Sequence, residues 1–167
     1  MIYTTEYMKP LFKMLENCRG VEQMFIHHPE GDVFTHSLQT LYCGFRESND
    51  TDLLLAAMLH DVGKKENSLG HEQIAIEWLE PFASVKTRWL IQHHMRVWTY
   101  LKGEMKRAKK CAGLVKHPWL PELIQLARWD KMGRNPNKKI IYDKKIITAT
   151  FNKKAEFHFG TQQNMAR

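Results

Sequence analysis

The chain has 167 residues and a formal net charge of +7, and 43% of its residues are apolar. This length suits one domain with a substantial buried core, and no apolar run approaches the roughly 20 residues of a membrane span. The N-terminus lacks the basic start and apolar stretch of a secretory signal, and Cys18, Cys43 and Cys111 form no paired motif. We therefore expect a cytoplasmic protein with free thiols that does not enter a membrane.

Apolar spacing near 3.6 residues and capping side chains predict a mostly helical chain. The third predicted helix holds Leu53–Leu59, which is apolar almost all round, so we place it at the centre of the core. After residue 135 the pattern changes, because 140–142 and 146–151 are short and rich in β-branched residues, which predicts a hairpin or a loose tail. The helices are predicted over residues 3–17, from Asp32 or Thr35 to about Glu47, from Asp50 or Thr51 to Gly63, and over residues 71–79, 84–94, 103–112 and 122–131.

The predicted architecture is therefore all-α. It consists of one helical bundle over residues 1–135 and a basic, β-prone extension over residues 136–167. The positive charge is concentrated in this extension, since residues 135–167 hold seven Lys and Arg against two Asp and Glu. Such a tail can bind RNA or DNA through phosphate contacts, or it can serve only as a solvated, soluble segment. Both interpretations stay open from the sequence.

The doublet His60-Asp61 stands where the apolar third helix ends, just before Gly63. Burying a histidine beside a carboxylate is costly unless something pairs them, and a divalent cation would pair both. Neighbours on a helix diverge by about 100°, so both reach one ion most easily near a helix end. His36 begins the second helix and Asp130 ends the last core helix, and helices of a bundle can bring such side chains together. We predict a metal site formed by His36, His60, Asp61 and Asp130.

This ordered set resembles the H…HD…D signature of the HD superfamily of metal-dependent phosphohydrolases. Residues 31–38 resemble the segment that carries this family's first histidine, and Asp130 followed by Gly133-Arg134 resembles the end of the HD domain of bacterial CCA-adding enzymes. The chain also resembles small standalone HD proteins of phages. The resemblance covers roughly residues 20–135 and includes no nucleotidyltransferase catalytic domain. It implies a helical fold and hydrolysis of phosphomonoester, phosphodiester or phosphoanhydride bonds. It also implies that His36, His60, Asp61 and Asp130 are the metal ligands.

Some members of the superfamily bind a second metal through further histidines, and His71 with His93 or His94 resembles that layout. A two-metal site would clamp the attacking and leaving oxygens, whereas a one-metal site would leave these histidines to contact phosphate. Only one side chain of the His93-His94 pair need face the site. The metal stays open among Mn, Fe, Co, Ni, Zn and Mg, because availability often decides which ion imidazole and carboxylate ligands bind.

The expected reaction is attack of water on phosphorus, with Asp61 orienting the water as well as binding metal. A phosphoryl transition state spreads charge over its equatorial oxygens, so cations should surround the metal. Lys64, three residues after Asp61, is the first candidate, although it can equally balance the dipole of its helix. Arg96 and Arg134 are the other predicted phosphate contacts.

Three functions remain compatible with the sequence. The first is a phosphohydrolase acting on a nucleotide or on an RNA or DNA 3′ end. The second is a catalytically silent metal-binding interaction module, and the third is a nucleic-acid-binding accessory protein. The presence of all four signature residues favours the enzyme. We interpret the basic segment at Lys102 as a solvated face and Trp98 as a core aromatic, and the oligomeric state stays open.

Overall fold

In the computed structural model, which describes residues 3–105 and 108–165, nine α-helices and one short 3-10 helix form the fold. Those residues contain no β-strand, and one isolated antiparallel bridge joins Glu22 to Asp32. The predicted all-α fold is confirmed. The helices are α1 Thr5–Glu16, α2 Val33–Glu47, α3 Thr51–Leu59, α4 His71–Leu79, α5 Val85–His93, α6 Arg96–Leu101, α7 Ala108–Val115, α8 Leu120–Met132 and α9 Lys144–Met165, with the 3-10 helix Val62–Lys65 between α3 and α4.

Side-chain caps start the helices that carry the site. Asp32 accepts a hydrogen bond from the Thr35 backbone N–H at 2.8 Å, which begins α2. Asp50 accepts from the backbone N–H groups of Asp52 and Leu53, which begins α3. These bonds satisfy N–H groups that have no partner within the helix. Both predicted starts are therefore confirmed.

Helix α3 lies at the centre of the core. Every residue from Leu53 to Leu59 is buried, and α3 contacts α1, α2, α5, α8 and α9. A helix that is apolar on all sides has no face suited to water, so the other helices surround it. As a consequence, His60 and Asp61, which directly follow α3, are also held in the interior.

The predicted β-prone tail is wrong, because residues 144–165 form helix α9. Its β-branched residues are accommodated because Thr148 and Thr150 donate their hydroxyls to backbone carbonyls four residues earlier. The buried residues Ile147, Phe151 and Ala155 are spaced by four, which is a helical period. That spacing was present in the sequence and outweighs β propensity here.

Helix α9 is fastened to the first residues of the described chain. Asn152 and Tyr3 exchange two hydrogen bonds, from the Tyr3 N–H to Asn152 Oδ1 at 2.7 Å and from Asn152 Nδ2 to the Tyr3 carbonyl at 2.9 Å. The Phe151 ring packs 5.2 Å from the Tyr3 ring and 5.4 Å from the Phe45 ring, measured between centroids. This part of the basic extension therefore contributes to the hydrophobic core.

The middle of the chain differs from prediction in its boundaries. Helix α6 was not predicted separately, and the basic helix expected over 103–112 is observed as α7, Ala108–Val115. Residues 106–107 lie outside the described part. Cys18, Cys43 and Cys111 are free, as expected. Within the described residues, no helix is long and apolar enough to cross a membrane.

We predict that Phe151→Ala lowers the free energy of unfolding by about 3–5 kcal/mol, because it removes a fully buried ring from the core. Ile146→Ala, on the same helix at a side chain that is 54% exposed, should change it by no more than about 0.5 kcal/mol. Urea denaturation of both variants measures the difference. Equal effects of the two substitutions would contradict the observed packing of α9.

Candidate metal centre

The four signature side chains converge on one buried point. His36 comes from α2, His60 and Asp61 follow α3, and Asp130 comes from α8. The His36 Nε2 atom lies 3.1 Å from Asp130 Oδ1 and 3.8 Å from Asp61 Oδ2, and His60 Nε2 lies 3.4 Å from Asp61 Oδ2. None of the four residues is more than 6% exposed. The structure thus brings together all four residues predicted to bind metal.

The doublet can converge because the helix ends at that point. Helix α3 stops at Leu59, His60 is its C-cap, and Asp61 has φ −104° and ψ 2°, outside helical geometry. Within a helix the two side chains would diverge by about 100°. Here the carboxylate of Asp61 instead turns back toward the His60 imidazole.

Two further histidines contact the other oxygen of Asp61. His71 Nε2 lies 3.0 Å and His94 Nε2 3.5 Å from Asp61 Oδ1, and the two Nε2 atoms are 3.2 Å apart. Gly63 permits this approach, because a Cβ at that position would lie 2.0 Å from the His71 carbonyl oxygen. The Asp61 carboxylate therefore lies between a His36–His60 side and a His71–His94 side.

His93 and Arg96 are not brought to this point. His93 donates Nδ1 to the Trp89 carbonyl at 2.9 Å, and its ring stacks on the Trp89 indole at 4.5 Å. Both residues line a separate cavity of about 260 Å³ with Trp89 and Leu114. Of the doublet it is therefore His94 that faces Asp61, and the predicted phosphate contact through Arg96 is not supported. Arg96 is two positions beyond His94, and side chains at that spacing point in different directions from a helix.

Backbone carbonyls orient the inward-facing histidines. In each ring Nδ1 is within hydrogen-bond distance of a carbonyl oxygen, which makes Nδ1 the donor and turns Nε2 toward the centre. The pairs are His36 with Gly133 at 3.0 Å, His60 with Ala57 at 3.1 Å, His71 with Ser68 at 2.9 Å and His94 with Ile91 at 2.6 Å.

Several atoms facing the centre have no hydrogen-bond partner. Nε2 of His36, Nε2 of His60 and Oδ1 of Asp61 are buried and make no hydrogen bond, despite the short distances between them and their neighbours. Buried polar atoms are rarely left unsatisfied, because each costs about 1–3 kcal/mol. Imidazole nitrogens and carboxylate oxygens within 4.8 Å of one another are a suitable donor set for a divalent cation. The residues present therefore fit a metal ion.

The centre also keeps its carboxylates ionised. Burial alone would raise the pKa of Asp61, but the imidazoles of His60, His71 and His94 hold it well below its usual range. Burial likewise opposes ionisation of Asp130, yet His36 and His60 hold its pKa below the usual range. Metal binding needs deprotonated ligands, and both carboxylates meet that condition at neutral pH.

Glu30 is a buried partner of His36 that the sequence analysis missed. Its Oε1 lies 2.9 Å from His36 Nδ1 and 2.9 Å from His28 Nδ1, and its side chain is 0% exposed. Burial would raise the pKa of Glu30, but the two histidines lower it to about 2. A carboxylate on the outer nitrogen of a ligating histidine fixes the ring and raises its basicity. The turn His28-Pro29-Glu30 before His36 was the available sequence signal.

The centre lies at the floor of a cleft of about 600 Å³. Asp61 and Asp130 line it, while Lys64 and Arg134 pair with them at 2.7 and 2.9 Å. Lys64 and Arg134 thus lie where the sequence predicted phosphate contacts. The cleft is also lined by residues for which the sequence predicts no such role: Gln23, His28 and Lys131. Lys102 and Trp98 line it as well, where the sequence predicts a solvated face and a core aromatic.

Comparison with known proteins agrees with this geometry. The family model of the HD domain matches residues 33–135, which include all four signature residues. The chain belongs to the HD-domain family. This family comprises metal-dependent phosphohydrolases, and its members bind divalent metals. We propose that the HD unit ends at residue 135, where this match also ends.

Two curated relatives of the HD-domain protein are named multifunctional CCA protein. The protein from Methylococcus capsulatus is 34% identical over 76 residues, covering 41% of this chain and 18% of the relative. The protein from Halorhodospira halophila is 35% identical over 65 residues, covering 35% of this chain and 16% of the relative. The matched segments thus span less than a fifth of either relative.

We predict that Glu30→Gln weakens metal binding about 10- to 100-fold, because the amide keeps the size of the side chain but loses the charge that supports His36. Competition with a chromogenic chelator measures the dissociation constant for Mn²⁺ or Ni²⁺. Glu80→Gln is the matched control, since its side chain is 75% exposed and its cation neighbour Arg88 is 3.9 Å away. A loss in Glu80→Gln equal to that in Glu30→Gln would contradict the assigned role of Glu30.

Proposed function

We propose that this HD-domain protein is a phosphohydrolase that uses metal-activated water on a nucleotide or a nucleic-acid end. The observation that carries the proposal is the set of unsatisfied, buried ligand atoms on His36, His60 and Asp61. Of these residues Asp61 lines the cationic cleft. A divalent cation would satisfy these ligand atoms, and the cationic cleft suits a phosphate. Membership of the family supports the same class of reaction.

His36, His60, Asp61 and Asp130 would hold the ion, and His71 with His94 would hold a second one. Asp61 supports the two-ion arrangement, because its Oδ2 faces His36 and His60 while its Oδ1 faces His71 and His94. When bound, such ions polarise a phosphate ester and lower the pKa of a coordinated water toward about 7. Mn, Fe, Co, Ni, Zn and Mg all remain candidates for these ligands.

The residues of the cleft supply the charge that a phosphoryl group requires. Lys64 Nζ is bound to Asp61 Oδ2 at 2.7 Å, and Arg134 Nη2 is bound to Asp130 Oδ1 at 2.9 Å. Each cation therefore lies next to a candidate metal ligand, where negative charge builds up on the equatorial phosphate oxygens. Lys102 and Lys131 add positive charge further along the cleft.

The test is hydrolysis of bis(p-nitrophenyl) phosphate and of a nucleotide panel by protein loaded in turn with Mn, Co, Ni, Zn and Mg. We expect turnover with at least one metal and its loss in Asp61→Asn, because the amide cannot ligate as an anion. Metal content by mass spectrometry should fall in the same variant, while circular dichroism should show an unchanged helical content. Absence of turnover with every metal would leave a metal-binding module and refute the enzyme.

Arg134 and Arg96 form a matched pair for testing the phosphate site. We predict that Arg134→Gln lowers kcat/KM about 10- to 100-fold, because it removes a charge-assisted hydrogen bond at the cleft. Arg96→Gln should stay within about twofold of wild type, since Arg96 lines the separate cavity. Steady-state kinetics on the preferred substrate distinguish the two. A larger loss in Arg96→Gln than in Arg134→Gln would contradict the placement of the substrate.

A further inference from the structure

The loop before α2 exposes three consecutive large apolar side chains. Met24, Phe25 and Ile26 are 70%, 77% and 79% exposed. Single apolar residues are common on protein surfaces, but a contiguous exposed group is unusual and marks a binding surface. Since this group lies beside the candidate centre, its position relative to the cleft decides what it can bind.

The loop is a closed turn with its apolar tip outward. The backbone N–H groups of His27 and His28 both donate to the Met24 carbonyl at 2.9 Å. These bonds hold the two ends of the turn together and leave Phe25 and Ile26 at its tip. The aromatic side chain is therefore presented to solvent by a defined backbone, which reduces the entropy lost when a partner binds.

Both ends of the loop are tied to the cations of the cleft. Arg134 Nη1 donates to the His27 carbonyl at 3.3 Å, and Lys64 Nζ donates to Gln23 Oε1 at 2.9 Å. The same two cations pair with the carboxylates of the candidate metal centre. The loop tip is thus fixed relative to the point where the phosphate would react.

The tip lies at the rim of the cleft rather than inside it. Met24 and His27 are among the residues that line the cleft, whereas Phe25 is not. A single nucleotide bound in the cleft would leave Phe25 in water, but a strand continuing out of the cleft would pass it. Cations on the cleft walls favour a polyanion as the occupant, and an exposed aromatic ring next to them suits an unstacked base.

We propose that the loop tip is a stacking platform, in which Phe25 packs against a base of a single-stranded nucleic acid whose end enters the cleft. The inference rests on the proposed phosphohydrolase function and narrows its substrate to a strand end. Stacking on an aromatic ring is tolerant of sequence because every base has a π-face. The platform would therefore select the length of the substrate without selecting its bases.

The experiment measures binding separately from turnover. A fluorescein-labelled, unstructured RNA of about 12 nucleotides is titrated with the full chain in EDTA, and anisotropy gives the dissociation constant. We expect Phe25→Ala to weaken RNA binding roughly 5- to 100-fold, as for loss of one stacked base, and Phe25→Trp to restore it. The matched control is Ile141→Ala, at a side chain that is 80% exposed and does not line the cleft.

Hydrolysis of bis(p-nitrophenyl) phosphate by the metal-loaded variants completes the design. Because Phe25 does not line the cleft, the kcat/KM for this small diester should stay within about twofold of wild type in Phe25→Ala. Equal RNA affinity in wild type and Phe25→Ala would overturn the platform even if the diester is hydrolysed. Self-association of the wild type that Phe25→Ala abolishes, with unchanged RNA affinity, would instead assign the tip to a contact between copies.

Discussion

The structure depends on one buried carboxylate, that of Asp61. It lies in the interior with imidazole nitrogens of four residues within 3.8 Å and a lysine at 2.7 Å: His36, His60, His71, His94 and Lys64. A buried anion is costly unless it is surrounded by such partners. His60 and Lys64 are close to Asp61 in sequence, whereas His36, His71 and His94 come from α2, α4 and the end of α5. This one group therefore draws α2, α4 and α5 to the end of α3.

Different atoms of the histidines would bind the ion and orient the rings. Three inward atoms make no hydrogen bond and so remain able to bind an ion: Nε2 of His36, Nε2 of His60 and Oδ1 of Asp61. The outward Nδ1 atoms of His36, His60, His71 and His94 all contact backbone carbonyls. Glu30 adds a charge to one of these outward contacts and reaches His28 at the cleft. Because every residue has a backbone carbonyl, the orientation of these histidines depends on the path of the main chain rather than on other side chains.

The sequence was a good guide to the fold and to the centre, for physical reasons. The apolar run Leu53–Leu59 is hydrophobic on every side, and only a central position satisfies that pattern. His60 and Asp61 follow this run directly, so the candidate ligands are a local signal. The predicted helix end at Gly63 is wrong, because α3 ends at Leu59 and Gly63 lies in the following 3-10 helix. The all-α fold and the family could therefore be predicted from the sequence alone. The four signature residues stay a prediction, and the observed geometry is compatible with it.

The errors arose where the decisive contact is distant in sequence. The β-branched residues of 146–151 favour a strand, but the segment is helical and its Phe151 ring packs against Tyr3 and Phe45. Arg96 follows the histidine doublet closely, yet the turn between α5 and α6 directs it to a different cavity. Only the turn His28-Pro29-Glu30 marks Glu30 in the sequence, and its contact with His36 exists only once that loop folds back. In these segments the contacts with distant parts of the chain determine the local structure, and local propensity does not.

The pairing of Tyr3 with Asn152 has a consequence for how the molecule folds. The two residues are separated by 149 positions, so their hydrogen bonds close a loop that contains nearly all the described chain. Closing so large a loop lowers the conformational entropy of the chain more than forming a local helix does, and contacts of this kind slow folding. We therefore expect the helices around α3 to assemble first and this long-range contact between the two chain segments to form late. Loosening either segment should therefore release the other, which makes the first and last parts of the chain one cooperative unit.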